Sequence, residues 1–182
     1  IPKRWFQGDQ QPQERHAAFY KVWVMADFYE AFEKTLRKEG GYQLTNIKND
    51  LGGQTYAGIA RTKNPHWPGW IYVDRGDAPP ADVVRDFYRA NYWAPLYCDR
   101  LPQAIAEDIY DFAVNAGVSV SAKLAQVVAG VTPDGSVGPK TIEALSSIGP
   151  GAFRPAFALA KIARYRDIVM RNRSQGAFLL GW

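Results

Sequence analysis

The chain has 182 residues, of which 47% are hydrophobic and 22% are charged. These proportions are typical of one globular domain with a sizeable core, or of one domain with an appendage. No apolar run approaches the ~18 residues that a membrane-spanning helix needs, so we expect no integral membrane segment. The single cysteine, Cys98, excludes an internal disulfide. With His16 and His66 as the only histidines, we expect no zinc site built from soft ligands, and no cofactor is implied.

The net charge of +4 is modest. It allows a nucleic acid as a partner, but an anionic polymer such as the bacterial cell wall fits equally well. Aromatic residues make up 14% of the chain, and clusters such as the one around Trp67 and Trp70 offer flat faces that suit sugar rings. We nevertheless expect most of these rings to pack in the core or on the surface.

Residues 1–22 are polar and rich in glutamine, so they are predicted to form an N-terminal extension. Because the sequence begins at Ile1 rather than at Met, we expect a processed or trimmed product.

The first helix is predicted to run to Glu39 and to end at two glycines. Phe28, Phe32 and Leu36 recur at four-residue spacing and form one apolar face. At roughly 100° per residue, Glu39 lies within about 20° of Phe28 and Phe32, so it is predicted to project from the buried stripe. Burial and the negative end of the helix dipole both favour the protonated carboxyl, which is how a general acid is prepared.

Residues 40–80 are dense in Gly, Pro, Asn and Asp, which predicts a small β-rich or irregular lobe after the first helix. A hairpin within residues 49–59 is predicted to fold back over the helix end and to bring Asp50 and Thr55 near Glu39. Hydrolysis of a glycosidic bond needs one protonated carboxyl and a second polar group, so either residue is a candidate partner. The spacing is equally compatible with Glu39 as a capping or salt-bridged residue and Asp50 as an ordinary turn acid.

The rest of the chain predicts five helices, and the fold class is therefore α+β and mainly α. Glycines and prolines interrupt the apolar periodicity between these helices. Ser119 or Ser121 is a candidate N-cap of the helix that ends at Gly130. The predicted helices cover about residues 82–91, 105–117, 119–130, 139–145 and 152–173, with a turn at Asp134-Gly135.

Two motifs resemble glycoside hydrolase family 108, a family of N-acetylmuramidases with a lysozyme-like fold found in phages, prophages and bacterial secretion loci. They are Glu39-Gly40-Gly41-Tyr42 and the segment Asn49-Asp50-Leu51-Gly52-Gly53-x-Thr55-x-x-Gly58-Ile59. Further matching stretches are Tyr92-Trp93, Asp99-x-Leu101-Pro102 and Asp111-Phe112-Ala113-Val114-Asn115-x-Gly117. The final third, with Ala125-Gln126 and Asp134-Gly135-x-Val137-Gly138-x-x-Thr141, is similar to the predicted peptidoglycan-binding region that is usually fused to these enzymes.

This resemblance implies an enzyme that cleaves the β-1,4 bond between N-acetylmuramic acid and N-acetylglucosamine, with Glu39 as the catalytic acid. Asp50 and Thr55 match the polar positions of the next loop, whereas Leu51 stands where the family usually has proline. The implied division is an extension at 1–22, a lysozyme-like catalytic region at 23–110 and a helical peptidoglycan-binding region at 111–182. The resemblance implies that the protein binds peptidoglycan glycan strands and does not bind nucleic acid. We expect a monomer that acts on the cell wall, in the periplasm or otherwise outside the cytoplasm.

Several residues are candidates for contacts with the glycan. Asp111 and Asn115 lie four residues apart on one helical face, where they either contact sugar or form a buried hydrogen-bond network. The predicted substrate-binding residues are Tyr42, Tyr56, Tyr92, Trp93 and Asn115.

Two other functions compete with a muramidase. A non-catalytic peptidoglycan-binding or scaffold protein could keep the same fold, although a binder gains nothing from a disfavoured carboxylate at Glu39. A basic nucleic-acid-binding domain could use the C-terminal arginines, but no recognition motif supports it.

Overall fold

The computed structural model describes residues 25–46 and 53–178. The predicted N-terminal extension and Asp50 lie outside these residues. The described chain is mainly helical with one small antiparallel sheet, which confirms the predicted α+β class. No helix in these two ranges is long and apolar enough to cross a membrane.

The first half of the structure holds the sheet and three helices. Its elements are α1 (Phe28–Lys38), β1 (Leu44–Asn46), β2 (Gln54–Tyr56), β3 (Ile59–Ala60), α2 (Trp70–Asp74) and α3 (Ala81–Tyr88). The strands are hydrogen-bonded in the order β1-β2-β3, and both pairs are antiparallel. The predicted lobe of residues 40–80 is therefore a three-stranded meander followed by a short helix.

The second half is entirely helical. A π-helical turn (Arg89–Trp93) and two 3₁₀ turns (Ala94–Leu96 and Cys98–Arg100) lead into α4 (Gln103–Ala116), α5 (Val118–Val128), α6 (Pro139–Arg171) and a last 3₁₀ turn (Arg173–Phe178). Helix α4 packs against α1, α5 and α6, so it is the shared wall between the two halves.

Helix α1 follows the predicted pattern. Asp27 caps its first turn by accepting a hydrogen bond from the Tyr29 backbone N–H at 2.7 Å. Phe28, Phe32 and Leu36 are all buried, as the four-residue spacing predicted. Burying these three side chains fixes the direction of α1 against α4 and thereby fixes where its C-terminal end lies.

Helix α5 begins differently from the prediction. It starts at Val118, directly after Gly117, whose φ of 94° reverses the chain between α4 and α5. Ser121 is buried inside the helix and donates its hydroxyl to the carbonyl of Ile109 at 2.6 Å. A serine cap at Ser119 or Ser121 is therefore wrong, because Ser121 joins α5 to α4 instead.

The two C-terminal helices that were predicted separately follow one another without a loop. Gly149 has a φ of 72° and interrupts α6, so the segments on either side of it correspond to the predicted short and long helices. The long segment ends at Arg171, two residues before the predicted end.

A buried glutamine holds the loop between α5 and α6. Gln126 is 1% exposed, and its side-chain amide donates to Asp134 Oδ1 at 2.7 Å and to the Ser136 carbonyl at 3.0 Å. Its Oε1 accepts the Gly135 backbone N–H at 2.9 Å. One side chain therefore satisfies both polarities of the Asp134–Ser136 turn.

We predict that Gln126→Leu lowers the free energy of unfolding by about 2–4 kcal/mol, because it keeps the size of the side chain but leaves buried polar groups of the turn without partners. Urea denaturation followed by circular dichroism measures this change. Gln43→Leu, at an exposed position, is the control and should stay within about 0.5 kcal/mol of wild type. An equally small effect for both substitutions would show that Gln126 does not hold the turn.

Candidate active site

The end of α1 has a specific backbone geometry that places Glu39. Gly40 has a φ of 90°, and its N–H donates to the carbonyl of Arg37, while the N–H of Gly41 donates to the carbonyl of Leu36 at 2.9 Å. This pair of bonds is a Schellman motif, in which the residue after the helix cap adopts a left-handed conformation that glycine favours. The Glu-Gly-Gly sequence is thus a helix end with Glu39 as the capping residue.

The placement of Glu39 differs in one respect from the prediction. The sequence placed Glu39 on the buried stripe of the helix, but the helix ends at Lys38 and Glu39 is exposed as a residue, with its carboxyl end shielded by the Gly58 turn. The stripe ends at Leu36, because the two glycines turn the chain away from the core one residue after Glu39.

The carboxyl group of Glu39 lies against the turn between β2 and β3. Ala57 and Gly58 have φ values of 48° and 77°, which is the geometry of a tight two-residue hairpin turn. A Cβ atom on Gly58 would lie 3.0 Å from Oε2 of Glu39 and 2.5 Å from the hydroxyl oxygen of Tyr88. Only a hydrogen atom fits there, so the glycine lets the carboxyl and the hydroxyl approach the same point of the turn.

Tyr88 of α3 and Tyr92 of the π-helical turn line this point. The Tyr88 hydroxyl is buried and donates a hydrogen bond to the carbonyl of Ala57 at 2.8 Å, which ties the turn to α3. Tyr92 is half-buried, and its ring lies 5.7 Å from that of Tyr88. Burial and, after it, the charge of Glu39 raise the pKa of both hydroxyls, so both stay protonated donors next to the carboxyl.

The environment of Glu39 favours its protonated form. Loss of contact with water is the largest cause that raises the pKa of Glu39, and the negative charge of Asp111 raises it further, while Lys38 opposes both. In the described ranges, no hydrogen bond or ion pair engages the Glu39 carboxyl. Asp111, by contrast, binds Lys38 at 2.9 Å and accepts the Thr35 hydroxyl at 3.1 Å. Of these two carboxyls, Glu39 is the one available to donate a proton.

The predicted partners of Glu39 are placed only in part. Thr55 lies in the central strand β2, between Thr45 of β1 and Ala60 of β3, on the hairpin whose turn touches Glu39. No hydrogen bond joins the side chains of Thr55 and Glu39 in the part of the chain that is described. Asp50 belongs to the segment outside the described residues, so its role stays a prediction.

Two of the predicted substrate-binding aromatics belong to the core, which corrects those assignments. Trp93 is completely buried and donates its indole N–H to Asp99 at 2.8 Å. Tyr56 is 5% exposed and stacks on Trp67 with ring centroids 6.1 Å apart. Both rings therefore pack in the core and present little surface to a ligand.

The other three predicted contacts remain accessible to a ligand. Tyr42 is exposed just after the Gly-Gly turn, Tyr92 is half-buried beside Glu39, and Asn115 is exposed on α4. Asp111 does form a hydrogen-bond network that ties α4 to α1, but it is partly exposed and Asn115 takes no part in it. The alternative of a buried Asp111–Asn115 network is therefore wrong.

Sequence reasoning assigned no role to Tyr88 or Lys38, and it identified Gly58 only as one residue of the motif at 49–59. Tyr88 reads as a core aromatic because it lies four residues after the buried Val84. The left-handed turn at Ala57-Gly58 is the one local signal that could have indicated a close approach to the acid.

A metal site is not evident in the two described ranges, since no group of three or more His, Cys, Asp or Glu side chains there could hold an ion.

Comparisons with known proteins match two consecutive regions of the chain. A family model described as Glycosyl hydrolase 108 matches residues 32–117, and a model described as Predicted Peptidoglycan domain matches residues 118–182. The structure is similar to that of SagA from Brucella abortus, with a TM-score of 0.62 and 25% sequence identity over 82% of this chain and 86% of SagA. No curated protein matches the chain. The match to residues 32–117 includes Glu39, the Ala57-Gly58 turn, Tyr88, Tyr92 and Asp111.

We predict that Glu39→Gln stabilises the protein more at neutral than at acidic pH. A carboxyl whose pKa is raised by folding holds its proton better in the folded state, so stability falls as the pH rises through that pKa. Glutamine does not ionise and escapes this loss. The Tm of Glu39→Gln relative to wild type should therefore be about 1–2 °C more favourable at about pH 7 than at about pH 4.

Differential scanning calorimetry at both pH values measures this difference. Glu33→Gln, which removes an exposed carboxylate from the same helix, is the matched control for the change of charge. A Tm difference for Glu39→Gln that is smaller at neutral pH would mean that folding lowers the pKa of Glu39.

Proposed function

We propose that this protein is an N-acetylmuramidase whose general acid is Glu39. Its residues 32–117 belong to glycoside hydrolase family 108, and a predicted peptidoglycan domain follows at residues 118–182. Membership of this family makes the protein a glycoside hydrolase that acts on peptidoglycan, outside the cytoplasm. The bond that we propose it cleaves is the β-1,4 link from N-acetylmuramic acid to N-acetylglucosamine. The Glu39-Gly40-Gly41-Tyr42 motif, which resembles that of the family's muramidases, supports this assignment.

The observation that carries the proposal is the Glu39 carboxyl itself. It is accessible from solvent, it rests on the Gly58 turn without an ion pair in the described chain, and its surroundings raise its pKa. A general acid needs this combination, because it must be protonated when the substrate arrives and must reach the leaving oxygen. An exposed side chain can also recover its proton from water after each turnover.

In the proposed reaction, Glu39 gives its proton to the glycosidic oxygen while the bond from that oxygen to the anomeric carbon breaks. The sugar passes through an oxocarbenium-like state, and water supplies the hydroxyl that completes the new reducing end. The attacking water gives one proton to the second catalytic group or to solvent, and the Glu39 carboxylate takes up a proton again before the next turnover. Asp111 acts at a distance through its charge, since its oxygens are occupied by Lys38 and Thr35.

The second catalytic group decides the stereochemistry. A carboxylate about 5–5.5 Å from the acid would act as a nucleophile and retain the anomeric configuration, whereas a separation of about 6.5–9.5 Å leaves room for water and leads to inversion. We propose that this group is either Asp50 or Thr55. A water held by Thr55 would lead to inversion.

The remaining predictions from the resemblance stay proposals. They are the division into a catalytic region at 23–110 and a helical peptidoglycan-binding region at 111–182, a monomeric state, and an association with phage lysis or secretion. The protein needs no cofactor in this scheme.

We predict that Glu39→Gln lowers the rate of cell-wall clearance by about 10²-fold or more, because glutamine has no proton to donate to the leaving oxygen. The loss of turbidity of purified cell walls, together with the release of reducing ends, measures the rate. Glu33→Gln is the matched control, since it makes the same chemical change on the exposed face of α1 and should leave the rate within about twofold.

Equal clearance by wild type and Glu39→Gln would refute Glu39 as the acid, and no clearance by either would favour a non-catalytic peptidoglycan binder. Mass spectrometry of the released fragments identifies the bond. A reducing end at muramic acid supports the muramidase, an anhydro end would indicate a lytic transglycosylase, and a freed stem peptide would indicate an amidase.

We predict that one of Asp50→Asn and Thr55→Val lowers the rate by about 10²-fold while the other has a much smaller effect. Proton NMR of the first product formed gives the anomeric configuration and must agree with the variant that fails. Retention fits only a loss in Asp50→Asn, with Asp50 as the nucleophile. Inversion fits Asp50 as the general base if Asp50→Asn fails, or a water held by Thr55 if Thr55→Val fails and Thr55→Ser restores the rate. If neither substitution lowers the rate, both residues are wrong.

A further inference from the structure

A charged groove runs along the outside of α1 and reaches the end of the helix where Glu39 lies. It has a volume of about 650 Å³, which is enough for a ligand of several residues. Its walls come from α1 and α4, and Arg154 of α6 contributes from the C-terminal half. The charged residues that line it are Lys34, Arg37, Lys38, Glu107, Asp108, Asp111 and Arg154.

The groove adjoins the proposed acid. Lys38 directly precedes Glu39 in the chain, and its ammonium group binds Asp111 at 2.9 Å across the groove. The charges of both residues act on Glu39. A ligand that occupies this end of the groove would therefore lie next to the reacting bond.

The cations of the groove are more accessible than its carboxylates. Lys34, Lys38 and Arg154 each form an ion pair with an acidic residue of α4, and in these three pairs the cation is the more exposed partner. Lys34 also binds Glu30 at 2.8 Å, where Glu30 is the more exposed partner. In the pair with Asp108, the side chain of Arg154 is 59% exposed and that of Asp108 only 22%. A ligand in the groove therefore meets ammonium and guanidinium groups first.

Arg37 adds a further cation to this surface. It is exposed on α1, and its guanidinium makes no ion pair within the described ranges. Arginine presents a planar fork of donors that matches a carboxylate. The groove thus offers one guanidinium without an ion pair in the described chain. It also offers two cations, Lys38 and Arg154, that are each more exposed than the carboxylate they bind.

We propose that this groove binds the carboxylates of the stem peptide that peptidoglycan carries on its muramic acid, and that the enzyme consequently prefers glycan strands that bear peptides. The inference rests on the proposed muramidase activity. A stem peptide begins on the sugar beside the scissile bond, and each extended residue spans about 3.3 Å, so its carboxylates fall within reach of a groove that starts at Lys38. Its free carboxylates are the complement of exposed arginine and lysine side chains.

The test compares two soluble substrates. One is glycan strands whose cross-links have been cut by an endopeptidase, so that single stem peptides remain, and the other is the same strands after an amidase has removed the peptides. Wild type should cleave the peptide-bearing strands about tenfold faster at low substrate concentration, as a charge-assisted contact predicts. The ratio should shrink as salt is added, because exposed charges are screened.

Arg154→Gln and Arg37→Gln should each lower the rate on peptide-bearing strands by about fivefold and leave the rate on stripped strands within about twofold. Arg166→Gln is the matched control, because Arg166 lies on the same helix as Arg154, is exposed and pairs only with its neighbour Asp167. Arg37→Gln disturbs no ion pair of the described chain, so it tests the proposal even if Arg154→Gln is poorly folded.

Equal losses on both substrates, or a wild-type enzyme that cleaves stripped strands as fast as peptide-bearing ones, would overturn the groove proposal and leave the muramidase standing. Cleavage of neither substrate by wild type would instead overturn the proposed activity. Other anionic polymers of the wall are the alternative ligand. If the preference for peptide-bearing strands is lost once those polymers are removed from the substrate, the groove binds them and not the stem peptide.

Discussion

The left-handed conformation of Gly40 is the constraint on which the site depends. It ends α1 through the Schellman hydrogen bonds and sends the chain into β1, so that Glu39 becomes the cap of the helix and not a residue of its next turn. The sheet then brings the Ala57-Gly58 turn back to the end of α1. The N–H of Ala57 donates a hydrogen bond to the carbonyl of Gln43 at 3.0 Å. A residue with a Cβ at position 40 would strain this reversal and shift the acid relative to the turn.

The surroundings of Glu39 are assembled from parts of the chain that are far apart in sequence. The turn comes from the hairpin, Tyr88 and Tyr92 come from α3 and the π-helical turn, and Asp111 comes from α4. Each of these elements is fixed by core packing: Trp93, for example, touches Phe28 of α1 with ring centroids 5.4 Å apart. The rings of Phe28, Trp93 and Tyr110 pack against one another, so they fix α4 and the π-helical turn relative to α1.

The sequence predicted the features that depend on local pattern. The apolar stripe of α1, the glycine stop after Glu39 and the separate helices on either side of Gly149 all follow from periodicity and from residues that punctuate helices. Resemblance to a family added the role of Glu39, which the periodicity alone left open.

Features that depend on distant contacts were not predictable in this way. An aromatic residue next to a polar motif, such as Tyr56 or Trp93, can face a groove or the core, and only the packing of other elements decides between them. Serine is a residue type that favours helix caps, yet the Ser121 hydroxyl donates its hydrogen bond to the carbonyl of Ile109 in a neighbouring helix. The approach of Glu39 to Gly58 joins residues nineteen positions apart, whose distance depends on the register of the sheet.

Within residues 25–46 and 53–178, the Glu39 carboxyl has no hydrogen bond or ion pair, because its neighbours bind other groups. Lys38 is next in the chain and could neutralise it, but its ammonium group reaches Asp111 on α4. The Tyr88 hydroxyl lies beside Oε2, but a tyrosine has one proton to donate, and that proton is given to the carbonyl of Ala57. Asp111 therefore acts on Glu39 in two ways, by drawing away a cation and by adding a negative charge nearby. Both effects favour the protonated form of Glu39, and both arise from contacts that also hold α1, α3 and α4 together.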